Sequence, residues 1–301
     1  MFHEKLNVGV IFSEGTAWRD QRRLSLHLLR DLGMSRTIME ENIMLSVDEL
    51  ITQIDSLDDK DNVNFSHLIH LTIGNVINLI CFGFMYKHDE ERVKEFYDFQ
   101  EVVDKVMVQN QNWQFRTLSM FPALEKIALC KHFLFRPFSK NNRILKEMNL
   151  LKIREAEKTF NPEFQPQNFT HGLFKEIRNP DSRYSYLTDD HIHGMIFDFY
   201  FAGQETSTSV SRWIILFLME HKNIQHKLQK EIDDNVGRDN RIKMADKIHL
   251  PYLNAFIYES LRCANISKFE LLYYFEEQLI NVCFFSYIHS YSCLHKRYNN
   301  C

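Results

Sequence analysis

Two residue pairs and one short run in this sequence have the types and spacing to do chemistry. Trp18 and Arg22 stand four apart in GTAWRDQRRLSLHLLR. On a helix both project from one face, where an indole N–H and a guanidinium can grip one anion. The same stretch also carries Arg19, Arg23 and Arg30, which equally suits a solvated basic face with a half-buried Trp. Glu259 and Arg262 stand three apart in PYLNAFIYESLR and can pair. Flanking Phe256, Ile257 and Leu261 predict partial burial, with a weak surface pair as the alternative. The run is Phe197 to Ser209, FDFYFAGQETSTS, where aromatics give way to Ala202-Gly203 and then to Gln204, Glu205, Thr206, Ser207, Thr208 and Ser209.

That run is odd for a buried helix. A mid-helix Gly costs about 1 kcal/mol against Ala, and Ser and Thr hydroxyls compete for backbone hydrogen bonds. On a 3.6-residue period Phe199, Ala202/Gly203, Thr206, Ser209/Val210 and Trp213 share a face that is large, small, hydroxylic and large again. Such a face predicts contact with something other than a side chain. A helix–helix break at Gly203 is the alternative. Thr188 as N-cap and Asp189 and Asp190 in the first turn favour one long helix with a weakened middle.

The elements that must position these residues read as helices. The pattern predicts Trp18 to Arg30, Ser35 to about Ile54, Ser66 to about Phe82 and Glu90 to Gln109. Further helices are predicted over Pro137 to Phe160, Phe169 to Ile177, the central run, His221 to Val236, and from Pro251 onward. In Pro137 to Phe160, Ile144, Leu145, Met148 and Leu151 are expected inside, with Lys and Glu outside. Val63–Phe65 has the make-up of a short strand. Leu68 to Tyr86 is the most membrane-like run, but His70, Asn75 and Asn78 mark it as a buried helix.

Composition agrees with a mainly α protein. The chain has 301 residues, 45% of them apolar, with only 9 Gly and 6 Pro. A net charge of -4 argues against nucleic acid as a partner. Cys81, Cys130, Cys263, Cys283, Cys293 and Cys301 are scattered without a C-x-x-C pair, which implies free thiols in a reducing setting. His67 with His70, and His191 with His193, lack further ligands at zinc-site spacing, so no metal site is expected.

Trp18-x-x-x-Arg22, Ala202-Gly203-x-Glu205-Thr206 and Glu259-x-x-Arg262, in this order, resemble the C-helix, I-helix and K-helix motifs of the cytochrome P450 superfamily. GTAWRDQRRLSLHLLRDLGMSR, EKTFNPEFQPQNF and LPYLNAFIYESLR resemble its microsomal, xenobiotic-and-lipid group. The resemblance implies a P450 fold from C helix to K helix with few short strands. It implies heme packed against Ala202 and Gly203, with a propionate held by Trp18 and Arg22. Glu205 and Thr206 would handle dioxygen and its protons, and Glu259 with Arg262 would form a structural ion pair. It further implies monooxygenation of a small apolar substrate (xenobiotic, fatty acid or steroid class), with NADPH electrons delivered by cytochrome P450 reductase at the endoplasmic reticulum membrane.

The resemblance covers about residues 1–266, so a partial P450 domain is expected there and a divergent tail over 267–301. Neither Cys283 in INVCFFS nor Cys293 in SYSCLHK matches the family's F-x-x-G-x-R-x-C-x-G ligand loop, whose thiolate favours O–O cleavage. No membrane anchor is expected in the front of the sequence as it stands. Three readings stand at this point: a heme-thiolate monooxygenase, a catalytically inactive truncated fragment, and a helical protein-binding module.

Overall fold

The structure is a computed structural model that describes residues 8–11, 13–34, 37–59, 63–110, 127 and 136–264. Its helices are α1 (Gly15–Asp31), α2 (Thr37–Asp55), α3 (Phe65–Phe82), α4 (Val93–Asn110), α5 (Arg136–Thr159) and α6 (Phe169–Ile177). They continue as α7 (Asp189–Glu220), α8 (Lys222–Asn235) and α9 (Pro251–Ala264), with a 3-10 turn at Met244–His249 before the last. Among the described residues there is no strand. Where Val63–Phe65 has strand-like composition, Phe65 instead opens α3. The expected tail over 267–301 and the link through Phe121-Pro122 lie outside the described residues.

The chain divides into two compact units, Met1–Thr208 and Ser209–Cys301, with the division falling inside α7. In the first unit α3 packs on α2, α5 and α6, while α5 also packs on α4 and α6, and α1 on α6. Leu24, Phe99, Phe169, Leu173, Ile192, Met195 and Ile196 are among the fully enclosed side chains. Helix α3 has the length and apolarity to cross a membrane, and slightly more than half of it is buried inside the protein. Asn75 and Asn78 on it are fully buried, and Asn75 exchanges two hydrogen bonds of 2.8 Å with the Tyr86 backbone. That pairing replaces water for a buried amide.

Helix α5 corrects the sequence reading. Its enclosed residues are Leu145, Asn149, Lys152, Ile153 and Ala156, whereas Leu151 is 59% exposed. Those five positions recur at the helical period, so geometry, not apolarity, decides which side chain is inside. Lys152 is therefore buried and Leu151 solvated.

The second unit is a short assembly around α8 and α9. Pro251 stands at the first position of α9, where a missing N–H costs nothing. The next two N–H groups, Tyr252 and Leu253, each donate to the Glu231 carboxylate of α8 at 2.8 Å. One acid thus satisfies two orphan donors at the positive end of a helix.

Candidate functional site

Helix α7 runs unbroken for 32 residues through Gly203, so the helix–helix break is not formed. Its start is set by Thr188, whose carbonyl accepts from His191 N at 2.8 Å and Ile192 N at 3.2 Å. Within the first unit, Met195, Asp198, Ala202 and Thr206 fall on one stripe of this helix. The first two are buried and the last two exposed.

The buried turns are covered by α1 and by residues 8–11. Ser25 of α1 donates to Met195 Sδ at 3.6 Å. Asp198 accepts from Val10 N at 2.6 Å and Ile11 N at 2.9 Å. Gly9, at φ 87°, sits so close that a Cβ there would collide with the same carboxylate. Gly9 N in turn donates to Gln21 Oε1 at 2.9 Å. Burial pushes the Asp198 carboxyl up to about 6, although the two backbone N–H groups pull it back.

The exposed turns carry the predicted residues. Ala202 presents only a methyl group, and Thr206 Oγ1 donates back to Ala202 O at 2.7 Å. Gly203 points elsewhere: a Cβ on it would lie 2.9 Å from Ile77 Cδ1 of α3. Its smallness is thus accounted for by α3, and Ala202 is the small residue on the open stripe. Glu205 is half-buried and turns toward α4, accepting from Gln100 Nε2 at 2.9 Å. Gln204 holds that amide in place by donating to Gln100 Oε1 at 2.6 Å. Phe199, expected on the open stripe, packs edge-on against Phe169 at 5.1 Å.

Trp18 and Arg22 stay together on the outer face of α1, with the guanidinium 5.2 Å from the indole centroid. They line an open cleft of about 450 Å³ with Arg19, Arg23, Arg30 and Tyr184. Asp20 is drawn off to Tyr186 OH at 2.6 Å and Arg183 at 3.4 Å. The cleft can therefore receive an anion. In the second unit Glu259 and Arg262 do pair in two-pronged fashion, with Nε to Oε2 at 2.7 Å. Both are exposed, at 59% and 61%, which corrects the expected burial. Phe256 is half-buried beside them, but Ile257 and Leu261 are themselves exposed, so among the described residues nothing encloses the charges.

Of the expected porphyrin residues, Ala202 and Thr206 leave a bare step beside a hydroxyl and Trp18 with Arg22 has the chemistry to hold a carboxylate, whereas Gly203 and Glu205 turn toward α3 and α4. The described cysteines do not supply an axial thiolate. Cys81 lies in the core with its thiol pushed up to about 12 by burial. Cys263 sits on α9 with its sulfur 3.4 Å from Arg262 and 3.5 Å from Glu259. Of the histidines, His191 bonds Thr188 Oγ1 at 2.9 Å, and burial lowers the His193 imidazole.

Sequence reasoning missed Asp198, Gln100 and Lys152. An acid inside FDFYFAG was the one available signal for Asp198, since an unpaired charge in an aromatic run needs donors. Gln100 carried none, because its partners on α7 are over 100 residues away.

Known proteins resolve the family. The cytochrome P450 family model matches residues 2–274. The chain is 26% identical to cytochrome P450 2J3 of Rattus norvegicus over 267 residues, covering 87% of this chain and 51% of that protein. It is 28% identical to cytochrome P450 2H2 of Gallus gallus over 254 residues, with 84% and 50% covered. Against cytochrome P450 2C25 of Mesocricetus auratus it is 27% identical over 272 residues, with 89% and 54% covered. The chain spans about half the length of these relatives. With most of its residues matched to one family model and its three motifs in the family's order, the chain belongs to the cytochrome P450 family.

Proposed function

We propose that the chain carries the distal wall of a heme monooxygenase site that inserts one oxygen atom of O2 into a small apolar substrate. Electrons would come from NADPH through cytochrome P450 reductase, at the cytoplasmic face of the endoplasmic reticulum membrane. The observation that carries this reading is the bare Ala202–Thr206 step on a stripe otherwise covered by α1 and residues 8–11. Under it, Ala202 lies against the porphyrin, and Trp18 with Arg22 holds a porphyrin carboxylate by charge-assisted hydrogen bonds. When bound, heme supplies an iron that activates dioxygen.

The chain's residues have separate tasks around that group. Thr206 has its proton committed to Ala202 O and presents lone pairs to the open side. Glu205 receives a Gln100 N–H, which orients its half-buried carboxylate for the task of taking up and handing on protons. Glu259 and Arg262 act as a structural pair, and residues 1–266 form the P450 part, the family match running a short way into the tail.

A second reading, a catalytically inactive truncated fragment, is favoured by the placement of Cys81 in the core and of Cys263 beside Arg262. Hemin titration of the full-length chain, followed by a carbon-monoxide difference spectrum after reduction, separates them. A heme-thiolate band supports the monooxygenase. Heme uptake without that band overturns the monooxygenase. No heme uptake with poorly cooperative thermal unfolding supports the inactive fragment, and a cooperatively folded chain that takes up no heme leaves the protein-binding module.

A further inference from the structure

Among the described residues of the first unit, one amine is enclosed. Lys152 of α5 is 7% exposed, and its Nζ donates to Tyr200 OH at 2.9 Å. Four rings surround it: Tyr200 at 4.3 Å, Phe99 at 4.6 Å, Tyr86 at 5.6 Å and Phe82 at 5.9 Å from Nζ to centroid. Among the described residues no carboxylate comes within ion-pair distance of it. The rings belong to α3, α4, α7 and the segment after α3, so this amine touches all of these but not α6.

The charged state of the amine is poorly served there. An ammonium has three donors, and a single phenol oxygen plus ring faces replaces its water. The titratable groups facing it are Cys81 on α3, Tyr86 and Arg92 between α3 and α4, Glu95 in the first turn of α4, Tyr200 on α7 and Glu155 on α5 itself. On α6, His171 is engaged instead with Ala156 O at 2.9 Å. Burial pushes the Cys81 thiol and the Tyr86 and Tyr200 phenols up, and the same burial brings Lys152 down to about 7. The enclosed groups at this point are thus neutral near pH 7, except that the amine changes charge there.

We propose that Lys152 is a proton-operated strut: its neutral amine locks α5 onto α3, α4 and the turn of α7 ending at Ala202, and its protonation loosens that packing. The loosened turn carries Tyr200, two residues before the open stripe, so the strut would couple acidity to the shape of that stripe without touching it. This inference does not depend on heme or on turnover.

Amide hydrogen exchange on the full-length chain tests it, at about pH 6 and about pH 8.5, corrected for intrinsic exchange. Protection over 149–156 and 196–203 is expected to fall about tenfold more at the lower pH in the native chain than in Lys152→Met. Asp198 and His193 on α7 remain in both proteins, so their titration cancels. The Lys152 amine, followed by NMR on isotopically labelled lysine, is expected to titrate near 7. Tyr200→Phe is expected to lower that midpoint, because the ammonium loses its acceptor. Equal loss of protection in Lys152→Met, or an amine titrating at its ordinary value, overturns the strut. Where Lys152→Met does not fold, the lysine titration decides alone.

Discussion

One stripe of α7 shows two treatments of the same helix face. At Met195 and Asp198 it is sealed by α1 and by residues 8–11, with a carboxylate spent on two backbone N–H groups. One turn later, at Ala202 and Thr206, it is bare and its hydroxyl is turned back on its own helix. The difference teaches that side-chain size alone does not make an open surface. The covered turns are held shut by a long-range hydrogen-bonded clip, and the open turns lie where that clip ends.

The clip is the place to break this contrast hardest. Asp198→Ala is expected to lower unfolding free energy by about 2–4 kcal/mol in urea titration, since two partly buried N–H groups lose a charged acceptor. A loss below about 0.5 kcal/mol would make the clip ornamental. The sign of its pH dependence follows from its raised carboxyl. Near about 4 in the unfolded chain and about 6 when folded, the folded state binds the extra proton between those values. Stability is therefore greatest below pH 4 as far as this group is concerned, and is lost as pH rises through about 6. Asp198→Asn is expected to remove that slope from the thermal midpoint.

The open turns should answer oppositely. Ala202→Phe is expected to leave stability within about 0.5 kcal/mol, as exposed substitutions usually do, while hemin affinity measured by absorbance titration falls by more than tenfold. Arg22→Ala should weaken hemin binding about tenfold through loss of one charge-assisted bond. The smallest effect belongs to Glu259→Gln, where no shift of the thermal midpoint is expected because both partners stand in solvent. A clear destabilisation there would mean the pair is enclosed after all.

The helical frame was legible because periodicity and caps are local. Phe169–Ile177 ends as expected, and one long helix across Gly203 followed from the acidic start and continuous apolar spacing. What each side chain faces was less legible, because that depends on partners far along the chain. Leu151 and Lys152 exchange the roles their chemistry suggests, since the α5 face from Leu145 to Ala156 is fixed by its phase against α3 and α4. Gly203 stood out correctly as a close approach, but its neighbour is Ile77. The three motifs carried the resemblance to the family, whereas the exposure of Glu259 and Arg262 required the surroundings of α9.

The Asp198 clip also bears on the order of assembly. Val10 and Asp198 are 188 residues apart, whereas Glu231 and Tyr252 are 21 apart. Closing the longer span costs about 2 kcal/mol more in chain entropy. Contacts of such separation form late when folding rates follow topology. Residues 8–11 leave the ribosome well before α7, yet they have nothing to fasten to until that helix has been synthesised. The stripe that borders the open step is thus expected to be sealed among the last events of folding, with an early-made segment waiting on a much later one.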